Sequence, residues 1–167
     1  MKNKWGFFKL KILGIDPGVA CTGFGLIKVV NNDLEVIDYE VVRTNQKETW
    51  NIRLNTIYQD LKYIIRKYQP SVMSVEQIFY GKNVKSALLL GHSRGVPLLL
   101  SAKFKLSLHE FSARRIKQSL TGNGNASKAQ VQFMVQKLLS MQEPPSPMDA
   151  SDALAAAICY NQSFRLW

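Results

Sequence analysis

Cysteine, histidine and acidic residues are all scarce in these 167 residues. The two cysteines, Cys21 and Cys159, lie in apolar stretches; this excludes a disulfide framework and marks both as small buried hydrophobes. Two histidines, His92 and His109, provide no zinc spacing, and neither is assigned a role. No apolar run reaches the roughly 18 residues that a membrane span requires. Lys9 and Lys11 interrupt the aromatic start of the chain, and no small-residue cleavage site follows, so a secretory leader is not expected. There is no internal repeat, low-complexity tract or dividing linker. The expectation is a cytoplasmic protein with no membrane partner. The 12 acidic residues face 22 Lys and Arg, a formal charge of +10, which favours a polyanionic partner and nucleic acid before anionic lipid.

Hydrophobic patterning sets the fold class. Residues 10–15 form a short apolar run stopped by Asp16-Pro17-Gly18. Two β-rich runs at 22–30 and 34–42 are separated by Asn31-Asn32-Asp33, a hairpin-type turn. From Leu54, apolar residues recur at Ile57, Tyr58, Leu61, Ile64, Ile65 and Tyr68, the three–four spacing of an amphipathic helix closed by Pro70. A buried strand at 72–75 ends in Glu76, a helix spans 84–103 with an irregularity at Pro97, and a fifth strand is expected at 104–109. Helices are expected near 113–120 and after the capping box of Ser127 and Gln130. A last, wholly apolar helix follows the rigid Pro144-Pro145-Ser146-Pro147 segment. The order β-β-β-α-β-α-β-α-α-α describes an α/β protein, a five-stranded mixed sheet with helices on both faces.

Four acids stand where such a sheet places its chemistry. Asp16 and Glu76 each end a buried strand, although Asp-Pro-Gly is also a turn former and a strand-end acid often only meets water. Asp149 follows Ser146 by three residues with Pro147 between, an arrangement a capping box alone would explain. Asp152 lies beyond the reach of the helix dipole and precedes an apolar stretch, so it needs a partner. Spaced i, i+3, Asp149 and Asp152 share one helix face. Strand ends and a helix start can bring all four together; such a group repels itself unless cations intervene. Hard oxygen donors suit Mg²⁺ or Mn²⁺, and a pair of such ions suits phosphodiester hydrolysis.

These residues also carry a resemblance. Ile12-Leu13-Gly14-Ile15-Asp16-Pro17-Gly18 with Thr22-Gly23-Phe24-Gly25 is similar to the opening of the RuvC Holliday-junction resolvases. So are Val75-Glu76-Gln77-Ile78-Phe79 with Lys82-Asn83, Ala87-Leu88 with Gly91 and Arg94-Gly95-Val96, Ala113-Arg114-Arg115-Ile116-Lys117-Gln118, and Asp149-Ala150-Ser151-Asp152-Ala153-Leu154-Ala155. The likeness runs in register from about Lys11 to Tyr160. It implies a ribonuclease-H-like fold and a homodimer that cuts four-way DNA junctions symmetrically. It also implies two Mg²⁺ per active site, with Mn²⁺ able to substitute, and a partnership with the RuvA–RuvB branch-migration machinery. By position, Asp16, Glu76, Asp149 and Asp152 become the metal-binding catalytic acids, Phe79 a residue stacking near the crossover, and Lys117 and Lys128 basic residues beside the cut strand. Lys82 and Arg114 join the DNA-binding set. Two features depart from the family. Residues 1–10 form an extension of unknown role ahead of a single nuclease domain at 11–167, and Val19-Ala20 stand where members often carry a polar or basic residue.

Outside the acids, Phe79 and Tyr80 are consecutive, so one of them is expected to face outwards. The helix at 84–100, rich in leucine, is the expected two-fold interface. Two alternatives share parts of the pattern: another ribonuclease-H-like nuclease, and a nucleotide-binding protein of the actin-like superfamily. The latter needs a second similar domain for which 167 residues leave no room.

Overall fold

The computed structural model describes residues 10–31, 33–77 and 83–164. Five strands form one sheet in the order β3-β2-β1-β4-β5. They are β1 (Leu10–Asp16), β2 (Cys21–Val30), β3 (Asp33–Arg43), β4 (Val72–Gln77) and β5 (Ser107–Ser112). The first three pair antiparallel, while β4 and β5 lie parallel to β1, so the sheet is mixed. Five helices complete the chain: α1 (Trp50–Tyr68), α2 (Val84–Lys103), α3 (Ala113–Thr121), α4 (Lys128–Leu138) and α5 (Met148–Phe164).

Strand alternation divides the core between the two faces. Leu13, Ile15, Met73 and Val75 point towards α1 and the C-terminal part of α2. Ile12, Val72 and the Ser74 hydroxyl, which donates to the Ala156 carbonyl at 2.6 Å, face α5 with α3 and α4 beyond it. Two positions explain how closely α5 approaches the sheet. A Cβ at Gly14 would stand 1.9 Å from the Ala153 carbonyl oxygen, and one at Gly23 would stand 2.0 Å from that of Asp149. Only glycine allows a helix backbone to lie on strands at this range. The helix that does so buries ten residues.

A local expectation is met at the start of α4. Ser127 accepts from the Gln130 N–H and Gln130 reaches back to the Ser127 N–H, the reciprocal cap foreseen for α4. By contrast, the irregularity expected at Pro97 does not interrupt α2: the residue is buried inside a helix that continues through it.

Three expectations are corrected. The apolar spacing began at Leu54, whereas α1 begins four residues earlier, at Trp50; its first turn carries no apolar face towards the core. The fifth strand is Ser107–Ser112, not 104–109: Phe104 and Leu106 pack into the core as α2 ends, and Lys105 turns the chain with φ +56°. Finally, α5 has no Ser146–Asp149 capping box. The Pro147 carbonyl accepts from the Ala150 and Ser151 N–H groups at the start of the helix, which leaves the Asp149 side chain free of a capping role. No helix among the described residues is long and apolar enough to cross a membrane.

Candidate active site

The site grows from strand parity. Residues on β1 alternate faces, so Asp16 shares the α5 side with Ile12 and Gly14. On β4 the same rule places Glu76 with Ser74, again towards α5. The parallel register matches Ile15 with Val75, so Asp16 and Glu76 leave the sheet side by side at the C-terminal ends of neighbouring strands. The first two turns of α5 then supply Asp149 and Asp152. One carboxylate oxygen from each of Asp16, Asp149 and Asp152 lies within 4.8 Å of the others. Glu76 completes the group across a cavity of about 180 Å³ lined by Asp16, Glu76, Asp152, Lys117 and Lys128.

Crowding and burial dominate the electrostatics. Asp16 is pushed from 3.8 to about 8, first by burial and then by the charges of Glu76, Asp152 and Asp149. Glu76 is pushed from 4.5 to about 7, again by burial first and then by Asp152. Lys128 partly offsets this repulsion: its ammonium donates to Asp152 Oδ2 at 2.7 Å, and that hydrogen bond holds its own pKa above the ordinary lysine value. Lys117 also lowers the pKa of Glu76 through its charge. A site that forces carboxylates to retain protons near neutrality, with only hard oxygen donors, is one that a divalent cation relieves. Asp16, Asp149 and Asp152 fit such an ion by donor type and spacing.

The other sequence-selected residues divide by place. Lys117 and Lys128 line the acid cavity from α3 and α4, on either side of the loop Gly122-Asn123-Gly124-Asn125. Arg114 stands one turn before Lys117 and is exposed; it lines an adjoining cavity of about 430 Å³ with Gln77, Ser112 and Asn125. Phe79, Tyr80 and Lys82 lie outside the described residues. Cys21 departs from the expectation that both cysteines are buried. Cys159 is buried, but Cys21 is half-buried beside Arg43 and Asp149, with its thiol pushed up by burial and by the Asp149 charge.

Sequence reasoning missed three residues that frame the site: Thr44, Trp50 and Arg53. Thr44 and Arg53 hold the turn at 17–20, and Trp50 lies under the Arg53 guanidinium. An aromatic and an arginine spaced i, i+3 were the available signal, hidden because the helix start was placed after them.

Along the α2 helix, the interface expected at 84–100 divides. Leu100 is fully buried in the core, whereas Val84, Leu88 and Leu99 are exposed at 71%, 60% and 58%. At helical periodicity these three share one stripe with Gly91 and Gly95, where an added Cβ would meet nothing.

A family model described as Crossover junction endodeoxyribonuclease RuvC matches residues 12–160. The chain belongs to the RuvC family. A crossover junction endodeoxyribonuclease RuvC of Desulforamulus reducens is 46% identical over 151 residues, 90% of this chain and 93% of the relative. One from Heliobacterium modesticaldum is 48% identical over 148 residues, 89% and 91% of the two chains. Among solved structures, Thermus thermophilus RuvC superposes with a TM-score of 0.86 at 27% identity, covering 93% of this chain and 96% of the other. The same enzyme in complex with a Holliday junction substrate gives 0.86 at 25% identity and the same coverage. The ribonuclease-H-like fold follows, as does assignment as an endodeoxyribonuclease; the actin-like alternative is not favoured.

Proposed function

We propose that this chain resolves four-way DNA junctions by divalent-metal-dependent hydrolysis of two symmetry-related phosphodiesters, with Asp16, Glu76, Asp149 and Asp152 as the acids that hold the metal. The convergence of acids from β1, β4 and α5 on a cavity also lined by Lys117 and Lys128 carries this reading. Asp16, Glu76, Asp149 and Asp152 would hold two Mg²⁺, replaceable by Mn²⁺, which when bound would supply Lewis-acid activation of water and of the phosphodiester.

The chain's own groups do the rest. Asp16 would hold a cation as a carboxylate, since a positive charge beside it would offset the burial and the neighbouring carboxylates that raise its pKa. Lys128 exchanges its hold on Asp152 for the approaching phosphate, and Lys117 adds positive charge from α3. Arg114 extends the DNA surface, and the family resemblance adds Lys82 and Phe79 to the DNA-binding set, with Phe79 as the residue that stacks near the crossover. The formal charge of +10 draws the polyanion in despite the acidic pocket.

One cluster cuts one strand, so paired cuts require two copies. The stripe of Val84, Leu88 and Leu99 with Gly91 and Gly95 supports a two-fold homodimer through α2, its glycines permitting close helix approach. Residues 11–167 act as one nuclease domain in the cytoplasm, fed by a RuvA–RuvB-type branch-migration complex.

The test uses a synthetic four-way junction with Mg²⁺ and a linear duplex of the same sequence. Paired nicks in the junction and an intact duplex are expected. Asp16→Asn and Asp152→Asn should each lower cutting by on the order of 10³-fold while junction binding persists. Equal cutting of duplex and junction would favour a ribonuclease-H-like nuclease of other specificity. Near-normal cutting by either variant would overturn the acid assignment.

A further inference from the structure

The turn at 17–20 joins Asp16 to β2, the strand on which the first turn of α5 rests. It therefore sets the spacing between Asp16 and Asp149. These acids repel each other, so their proximity needs mechanical restraint until a cation arrives. The restraint is visible in the turn's carbonyls. Thr22 Oγ1 donates to the Gly18 carbonyl at 3.3 Å. Arg53 Nη2 donates to the Val19 carbonyl at 2.6 Å, and Thr44 Oγ1 donates to the same oxygen at 3.1 Å. The Thr44 N–H donates to the Ala20 carbonyl at 3.0 Å.

Arg53 organises this node. Its Nε donates to Thr44 Oγ1 at 3.1 Å while Nη2 holds Val19, so one planar fork grips two partners. The guanidinium lies 4.9 Å over the Trp50 ring, and Trp50 Nε1 donates to His92 Nδ1 on α2 at 2.9 Å. Each partner is thus itself fixed. The charges acting on Asp16 are those of Glu76, Asp152, Asp149 and Lys128, so Arg53 works through the backbone of the turn and not through its field.

We propose that Arg53 is a positioning residue for the acid cluster, pinning the 17–20 turn so that Asp16 stays within metal-sharing distance of Asp149 and Asp152. This rests on the reading of the cluster as a metal site. The fork geometry matters more than the charge: a lysine ammonium keeps the charge but cannot grip Thr44 and Val19 together while also covering the Trp50 ring.

The experiment is Mn²⁺ binding to the DNA-free protein, followed by electron paramagnetic resonance, beside the Mg²⁺ dependence of junction cutting. Arg53→Lys should bind Mn²⁺ about tenfold more weakly, and Thr44→Val, which removes the shared hydroxyl, about threefold more weakly. Both should need correspondingly more Mg²⁺ for half-maximal cutting and return to near wild-type rates at saturation. A loss of rate that saturating Mg²⁺ does not restore would mark a merely structural role and overturn the proposal. Asp16→Asn is the control for the site itself. If it abolishes Mn²⁺ binding while both other variants bind like wild type, the positioning role falls and the acid site stands. If Asp16→Asn binds Mn²⁺ normally, both fall. Should Arg53→Lys fail to fold, the same outcomes are read on Thr44→Val.

Discussion

Helices α5 and α2 are both rich in small and aliphatic residues and neither has a strongly polar face, yet they end in opposite situations. Ten residues of α5 are buried, and Ala153 through Cys159 are all fully inaccessible. Along α2 only Ser93, Pro97, Leu100 and Ser101 are buried, and leucines lie open. The surface beneath each helix makes the difference. Under α5, Gly14 and Gly23 remove the side chains that would hold a helix at ordinary distance, so it meets the strands backbone to backbone. Helix α2 rests mainly on α1 and is tied to the edge strand by the Arg94–Glu110 ion pair, which leaves its outer stripe uncovered. Apolarity drives burial without naming the partner. The first helix finds its partner within the chain and carries Asp149 and Asp152; the second keeps an uncovered stripe, the surface proposed above for a second copy.

Filling the gap under α5 should have the largest structural effect. Gly14→Ala places a methyl group inside the Ala153 carbonyl, and the helix must lift. A loss of about 2–4 kcal/mol is expected by urea unfolding, at the upper end of overpacking costs because the obstacle is backbone. A loss below about 1 kcal/mol would mean that α5 does not sit where its acids require.

The matching change on α2 should spare the fold. Leu88→Glu with Leu99→Glu puts charge on the uncovered stripe. Sedimentation should shift from dimer to monomer, with stability of the subunit changed by less than about 1 kcal/mol. Unfolding would show the stripe to be core, and an unchanged dimer would move the interface elsewhere.

A smaller and graded effect concerns pH. Asp16 and Glu76 have folded pKa values of about 8 and about 7, above their ordinary 3.8 and 4.5. The folded protein therefore holds these protons more tightly than the unfolded chain. That contribution is fully present below about pH 4 and is lost as pH rises towards 8. Melting of the metal-free protein should fall between pH 5 and 8, and Mg²⁺ should flatten the slope. A metal-free stability that rises over this interval would contradict the crowding of the acids.

Much of this was legible in the sequence, because strand parity and helix periodicity are local. The element order, the strand-end positions of Asp16 and Glu76 and the Ser127 cap all follow from short-range pattern. What escaped depended on distant contacts. Strand β5 is an edge strand whose alternation is weak, and the stronger apolar signal of Phe104 and Leu106 belongs to the end of α2. The first turn of α1 faces a turn and not the core, so periodicity could not find it, and with it went Trp50 and Arg53. Asp149 resembled a capping acid until the first bonds of α5 were seen to run to the Pro147 carbonyl. The glycines under α5 were visible as letters of a motif, but their reason lies in a helix more than a hundred residues away.

The most direct test of the central claim, that three elements crowd acids into a site needing a cation, is thermal melting of wild type and Asp16→Asn at pH 8 with and without Mg²⁺. Without the ion, the variant should melt higher, since it removes a buried charge that Glu76, Asp149 and Asp152 oppose; the gain should be on the order of 1–3 kcal/mol, or about 2–4 °C for each kcal/mol. With Mg²⁺, the wild type should gain and the variant should not. A variant that melts lower without metal, or that Mg²⁺ stabilises as much as wild type, would contradict the account.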